Sequence, residues 1–388
     1  MRFSLLLPTR NGGELLEDVV RSVLDEPYSD MELVVSNNAS QDATGEVLER
    51  FRDDRRLQVV TLEEPVEVTE NWQAALQRSS GDYISLIGDD DLLLPGYFER
   101  ASTLLETHAM PEVLSFNAYG FAFPGFAGSP LAHYADPFYD NDPSLPRDAP
   151  IPQSRRMSVV RDVFRFEFPM HLNMQCTLIA RSAIERLSDG LLKPPFPDFY
   201  ALNALLMRAH SWVHTDERLV VVGVSPKSFG RTIHSASEQG GGLEYLGIET
   251  GFAGQLPGSE IANGTYRCLL QLKQDYPEEL NGVEIDRGHY LAQQLNAWYV
   301  QLRLGSLGVP DAIRRLRLLS LRDWLAFLRL LIPRLTPGRL RARLSLSSED
   351  PASQLWPGMR PLRDVSNITE FAAWIAADPP ARAGAAQR

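Results

Sequence analysis

Along the first hundred positions the chain alternates between short, largely apolar runs and apolar residues at helical spacing. Phe3 to Leu7 is an apolar run that reads as a short strand, and it ends in the polar turn Pro8-Thr9-Arg10-Asn11-Gly12-Gly13. Leu15, Leu16, Val19, Val20, Val23 and Leu24 then recur with the period of a helix, predicted over 14–24. The cycle repeats with a strand at 33–35, a turn at 36–44 and a helix at 46–51. A third strand is predicted at 57–62 and a third helix at 69–77, which leads through Ser79-Ser80-Gly81 into an apolar strand from Tyr83 that stops at Asp89, Asp90 and Asp91. Strands alternating with helices predict an α/β fold with a doubly wound, mostly parallel sheet, in which ligands bind outside the carboxyl ends of the strands. The turns after the first, second and fourth strands are the polar ones, so they are expected to line one crevice.

Farther on, a helix is predicted at 97–107 and a strand at 113–117. Residues 119–156 are rich in Gly, Pro, Phe and Tyr without a clear period, which reads either as a loop covering the acceptor side of a site or as an inert surface loop. Helical spacing resumes at 159–166, a strand is expected within 171–180, and Pro194-Pro195-Phe196-Pro197-Asp198 opens a helix to about 209. A strand at 220–224 leads into a loop carrying Lys227, Arg231 and His234. The Gly-rich stretch at 238–243 reads as a linker, dividing the chain into a first domain, 1–237, and a helical C-terminal region, 238–378, with helices near 261–274 and 283–304. Residues 379–388, rich in Ala, Pro and Arg, are expected to be a disordered tail.

Composition narrows the picture. With 388 residues and 44% hydrophobic content the chain can bury a large core, and a net charge of −12 argues against general nucleic-acid binding. Cys176 and Cys268 lack metal-ligand spacing and point to a reducing compartment. Phe3 to Leu7 is too short for a signal-peptide core, and no stretch has the length and apolarity of a membrane span, so a cytoplasmic protein is expected. The charge is uneven: Gln301 to Ser345 holds ten arginines against two aspartates, a formal +8, which leaves −20 for the rest. Those arginines are interleaved with leucines and Trp324. Two readings stand: an interfacial anchor on an anionic membrane at the inner face of the plasma membrane, or a helical pack whose arginines pair with the acidic first domain.

The aspartate cluster is the sharpest chemical signal. Adjacent carboxylates raise one another's pKa and are stable only if solvated or gathered around a cation; they read as a solvated turn capping the next helix or as a Mg²⁺ or Mn²⁺ site for a diphosphate. Three motifs in register, S-L-L-L-P-T-R-N, L-V-V-S-N-N-A-S-Q-D-A-T and G-D-Y-I-S-L-I-G-D-D-D-L-L-L-P-G, resemble the nucleotide-sugar domain of family 2 glycosyltransferases, whose fold is the GT-A type. The resemblance is close over the first hundred residues and looser to about Ser235.

What the resemblance implies is carried over residue by residue. Pro8, Thr9 and Arg10 fall at the loop that approaches the nucleotide. Asn37 and Asn38 stand where many members have a pair of acids that read the base; an asparagine both donates and accepts, and both also suit Asx turns. Asn71 lies near the same crevice, with Trp72 beside it as core or wall. Asp90 aligns with the metal-binding aspartate, Gly88 takes the place of its usual partner, and Asp89 or Asp91 is left to supply the second carboxylate. Lys227, Arg231 and His234 read either as facing the phosphates or the ion or as solvated loop charges. Asp198 aligns with the general base, although Pro197 replaces the acid that usually precedes it; an N-cap role is the alternative. The implied activity is inverting transfer of a sugar from a nucleotide diphosphate sugar to a hydroxyl acceptor on a glycan or lipid-linked glycan, with His171, Glu167 or His234 as the fallback bases. A metal-dependent sugar nucleotidyltransferase and a non-catalytic nucleotide-sugar-binding scaffold remain as alternatives.

Overall fold

The computed structural model describes residues 1–225, 228, 246–247, 251–331 and 358–377, apart from 140, 172, 188–189 and 304. In chain order its elements are β1 (Phe3–Thr9), α1 (Leu16–Leu24), β2 (Met31–Asn38), α2 (Thr44–Glu49), β3 (Leu57–Leu62), α3 (Val68–Arg78), β4 (Tyr83–Leu86), β5 (Leu92–Leu93), α4 (Tyr97–Thr107) and β6 (Val113–Ala122). Then follow β7 (Ala132–Ala135), β8 (Ala149–Pro150), α5 (Gln153–Val163), β9 (Thr177–Ala180), α6 (Arg181–Glu185), α7 (Pro197–Arg208) and β10 (Trp212–Val224). The last are α8 (Glu260–Asp275), α9 (Arg287–Arg303), α10 (Val309–Leu316), α11 (Leu321–Leu331), β11 (Arg360–Leu362) and α12 (Ile368–Ala377).

One sheet runs in the order β11-β7-β6-β9-β4-β1-β2-β3, with β10 joined to β5, β6 and β8. β1 lies between β2 and β4, β3 flanks β2, and all three pairings are parallel. Beyond β4 the sheet is mixed: β9 runs antiparallel to β4 and β6, whereas β10 runs parallel to β6. β1 and β2 are buried on both faces, as near-continuous apolar runs require, while edge strand β3 is only partly covered. Alternation divides the core. Leu6, Val34 and Ile84 face α3, α5, α7, α8 and α9, and Leu5, Leu7, Leu33 and Val35 face α1 and α4.

Two expectations are corrected here. The stretch 119–156 is not a patternless loop: it contains the end of β6, all of β7 and β8, and the start of α5. These strands pair with distant partners, which local periodicity does not record. β10 begins eight residues before the predicted 220, because Asp216-Glu217-Arg218 interrupts its apolar pattern at a place where the ladder with β6 shifts register.

The expected domain boundary near 237 lies outside the described residues. Leu269 and Leu272 of α8 and Tyr290 of α9 share one core with Tyr200 and Leu205 of α7. The chain then returns to the sheet: β11 pairs antiparallel with β7, and Phe371 of α12 stacks on Phe121 at 5.1 Å between centroids.

Candidate active site

Parallel pairing brings the polar strand ends together. Thr9 stands opposite Asn37 in the β1–β2 register, and β4 pairs with β1 up to Leu86, so the aspartate turn emerges beside Thr9. The Thr9 hydroxyl donates to Asp89 Oδ2 at 2.6 Å. The loop after β1 crosses close above: a Cβ on Gly12 would sit 2.3 Å from that same oxygen, so only glycine lets the loop pass without a shift. Pro8 is half-buried and Arg10 exposed. The Gly13 amide donates to Asp42 at 3.1 Å, so it is engaged in fixing the entry to α2.

The three aspartates separate. Asp89 and Asp90 are partly exposed, and Asp90 Oδ2 accepts from the Ser225 amide at 3.3 Å and from the Ser228 hydroxyl, just past β10. Asp91 is only 1% exposed. Its Oδ2 accepts from the Gly88 amide and from Gln175 Nε2, both at 2.6 Å, and its Oδ1 accepts from the Gly223 amide at 2.9 Å. Burial, followed by the neighbouring Asp90 charge, pushes its pKa up to about 7. The expectation of Asp91 as a metal ligand is therefore revised: its carboxylate points inward and fastens the turn to β10 and to the segment before β9. Asp89 and Asp90 are left as the oxygen pair at the crevice. The described residues hold no group of three His, Cys, Asp or Glu side chains suited to a metal; two carboxylates completed by water and phosphate oxygens are a donor set that Mg²⁺ accepts.

The two asparagines also diverge. Asn38 is fully buried and holds the loop before α3 with both ends of its amide, donating to the Val66 carbonyl at 2.9 Å and accepting from the Val66 amide at 2.8 Å. Asn37 accepts from the Ser40 amide at 3.2 Å in an Asx turn. Ser36 on β2 and Thr69 and Asn71 on α3 each leave a buried side-chain oxygen without a partner among the described residues. Such oxygens are costly unless a ligand or water satisfies them. Trp72 packs against the core.

Asp198 occupies the second position of α7, behind Pro197, so it is not the N-cap; that position is Phe196, which makes no capping bond through its side chain. Asp198 Oδ1 accepts from the Phe199 amide at 2.8 Å, and burial pushes the carboxyl up to about 6 although the residue is partly exposed. Tyr139 lies near the segment before β9. Burial raises its phenol well above the ordinary value, the hydrogen bond from Asn173 opposes this, and the charges of Asp91 and Asp198 add to it. Its hydroxyl accepts from Asn173 Nδ2, its ring stacks on His171 at 4.7 Å, and Asn117 holds its backbone carbonyl at 3.0 Å. Asn173 in turn accepts from the Gln175 amide at 2.7 Å, which completes a polar chain from Asp91 to Tyr139. Glu167 faces His289 at 3.6 Å. Lys227, Arg231 and His234 lie outside the described residues.

Sequence reasoning missed Gln175, Asn173, Tyr139, Ser225 and Ser228. None belongs to a motif, and only their contacts with the aspartates and each other single them out.

Residues 4–124 match the model of glycosyl transferase family 2, the family that the three strand-end motifs resemble. Similar proteins include a GalNAc(5)-diNAcBac-PP-undecaprenol beta-1,3-glucosyltransferase of Campylobacter jejuni, 30% identical over 107 residues, which are 27% of this chain and 34% of that protein. Another is the abequosyltransferase RfbV of Salmonella typhimurium, 29% identical over 113 residues, covering 28% of this chain and 34% of that protein. The chain spans half or less of the length of such curated relatives. Among solved structures, residues 1–349 of TarS from S. aureus align with 79% of this chain and 92% of that one, at 14% identity and a TM-score of 0.46.

Proposed function

We propose that the chain is an inverting glycosyltransferase that moves a sugar from a nucleotide diphosphate sugar to a hydroxyl of a glycan or lipid-linked glycan, as in the synthesis of surface polysaccharide or glycolipid. The observation that carries this reading is the polar crevice at the strand ends, where Thr9 of β1 bonds Asp89 and the segment past β10 holds Asp90 through Ser225 and Ser228. Asp89 and Asp90 suit a cation-bound diphosphate, and Asp198 at the start of α7, a carboxyl raised to about 6, suits a general base near neutral pH. The family match over 4–124 and the glycosyltransferase names of the relatives support it.

In this reading the nucleotide lies over the ends of β1 and β2, where Pro8, Thr9, Arg10 and Asn37 supply contacts. Asp89 and Asp90 would hold Mg²⁺ or Mn²⁺. When bound, such an ion neutralises the leaving diphosphate. Asp198 takes the proton of the acceptor hydroxyl as its oxygen bonds to C1, and the bond from C1 to the diphosphate oxygen breaks on the opposite side, inverting the centre. Thr9 fixes Asp89, to which Gly12 leaves room, while Ser225 and Ser228 fix Asp90. A cytoplasmic place, peripheral on the inner face of the plasma membrane, belongs to the same reading; the two unpaired, buried cysteines support its reducing side.

The test is a panel of nucleotide diphosphate sugars with Mg²⁺ or Mn²⁺, read first by melting temperature. A donor at a hundred times its Kd stabilises by about 2.7 kcal/mol. With the donor found, Asp198→Asn is expected to bind it normally and to transfer roughly 10² to 10⁴ times more slowly. Binding without transfer by the native chain would favour a scaffold, and pyrophosphate release from a nucleoside triphosphate would favour a nucleotidyltransferase.

A further inference from the structure

Helices α10 and α11 carry apolar stripes on their solvent side. Val309, Ile313 and Leu316 recur at i, i+4 and i+7 on α10, and Leu321, Trp324, Leu325 and Leu328 recur at i, i+3, i+4 and i+7 on α11; all seven are exposed, Leu321 by 76% and Val309 by 66%. This reverses the usual arrangement, in which a surface helix turns its apolar stripe to the core. The core side of these helices is already satisfied by other residues. Ala312 of α10 is buried, Ala326 and Phe327 of α11 pack against the main core, and Asp323 pairs with Arg287 of α9 at 2.9 Å. The outward stripe is thus not a consequence of poor docking.

Cations flank the stripe. Arg314, Arg317, Arg322 and Arg329 each follow a stripe residue directly, which sets them about 100° around the helix from it. Among the described residues Arg314 pairs locally with Asp311, Arg315 donates to Gln301, and Arg317, Arg322 and Arg329 make no ion pair. A groove of about 580 Å³ opens beside the stripe, lined by Tyr266, Arg287, Leu318, Ser320, Arg322 and Asp323 among others. No helix among the described residues is long and apolar enough to cross a bilayer.

We infer that the α10–α11 face is a docking surface for an anionic lipid bilayer. The two helices lie in the interfacial plane, their leucines and Trp324 enter the acyl boundary, and the arginines meet the headgroups, with the groove beside Arg322 receiving a lipid phosphate. Charge decides for a membrane over a second copy of the chain. Residues 309–331 hold five arginines against two aspartates, a formal +3, and the rest of the chain sums to −15; a twofold dimer would set this basic face against itself, whereas an anionic surface attracts it, repels the rest of the molecule and thereby orients it. Long arginine stems reach past the apolar stripe to the phosphates.

The experiment is co-flotation of the full chain with vesicles of phosphatidylcholine alone or mixed with phosphatidylglycerol, without donor or acceptor, so the outcome is independent of whether the protein transfers a sugar. The expected result is binding to the anionic vesicles only, with release in about 1 M salt, where the screening length is roughly 3 Å. The double substitution Leu321→Glu with Leu325→Glu touches only exposed positions. It is expected to leave the melting temperature unchanged and to lower vesicle partition about tenfold or more. Arg322→Gln with Arg329→Gln is expected to weaken the preference for phosphatidylglycerol. Absence of flotation, or flotation indifferent to lipid charge and salt, would overturn the inference. So would a dimer, seen by light scattering, that the double glutamate variant converts to monomer.

Discussion

Asp89, Asp90 and Asp91 are neighbours in sequence, and burial gives them unlike chemistry. Asp91 has its oxygens committed to three donors, so its amide analogue would turn an N–H toward a donor it cannot accept from. Asp91→Asn is expected to lower stability by about 1–3 kcal/mol in denaturant unfolding, the usual cost of a buried group left unpaired. Asp90→Asn is expected to melt near the native temperature and to lose the Mn²⁺-dependent part of nucleoside diphosphate affinity by calorimetry. The opposite pattern would return Asp91 to the crevice. At Asp198 the raised pKa has its own sign. The carboxylate form is the base, so the transfer rate is expected to climb with pH through about 6 and to level above it. The same shift means the native state binds this proton more tightly than the unfolded chain does, so stability falls between pH 4 and 6 as the pH rises. A rate profile flat from pH 5 to 8 would remove Asp198 from proton transfer. The aspartates and Asp198 were legible because each sits at a strand or helix end that periodicity locates. The partners that divide the aspartates' roles, Gln175 and Gly223, were not, since they reach the turn only through tertiary packing.

At the scale of elements, β10 ties the site together. Its Gly223 donates to Asp91, and a Cβ there would lie 1.7 Å from the Asp90 carbonyl oxygen, a backbone atom that cannot swing away. Gly223→Ala is expected to displace the aspartate turn, weaken nucleotide binding at least tenfold and cost about 1–3 kcal/mol of stability. Normal binding and melting would show that the turn has more slack than this contact implies. Lower on the same strand, His214 Nδ1 and the Ser115 hydroxyl of β6 share a hydrogen bond at 3.0 Å, and that hydroxyl oxygen also accepts from Trp212 Nε1 at 2.9 Å. Regular elements such as β3 and α4 were legible to the residue because apolar runs and helical spacing are local signals. β5, β7 and β8 span two to four residues each and exist only through distant partners. No window along the chain contains the information that makes them strands.

Across the whole molecule, the sheet is finished by a segment that the sequence placed in a purely helical region. Phe371 of α12 is fully buried, stacked on Phe121 and set against Tyr134 at 5.8 Å. Phe371→Ala is expected to destabilise by about 3–5 kcal/mol in chemical denaturation. A loss under 1 kcal/mol would mean that α12 is an ornament on the sheet. No element was assigned to F-A-A-W from the sequence, because the sheet edge it covers is far away in the chain. The pairing of β11 with β7 also has a consequence for synthesis. His133 meets Pro361 across the ladder, so more than two hundred residues must be made after β7 leaves the ribosome before its partner exists. At about 5–20 residues per second that interval is roughly 10–45 s. Throughout it the nascent chain presents an open strand edge beside Phe121 and Tyr134, which makes this stretch the place where a holding chaperone would be needed most.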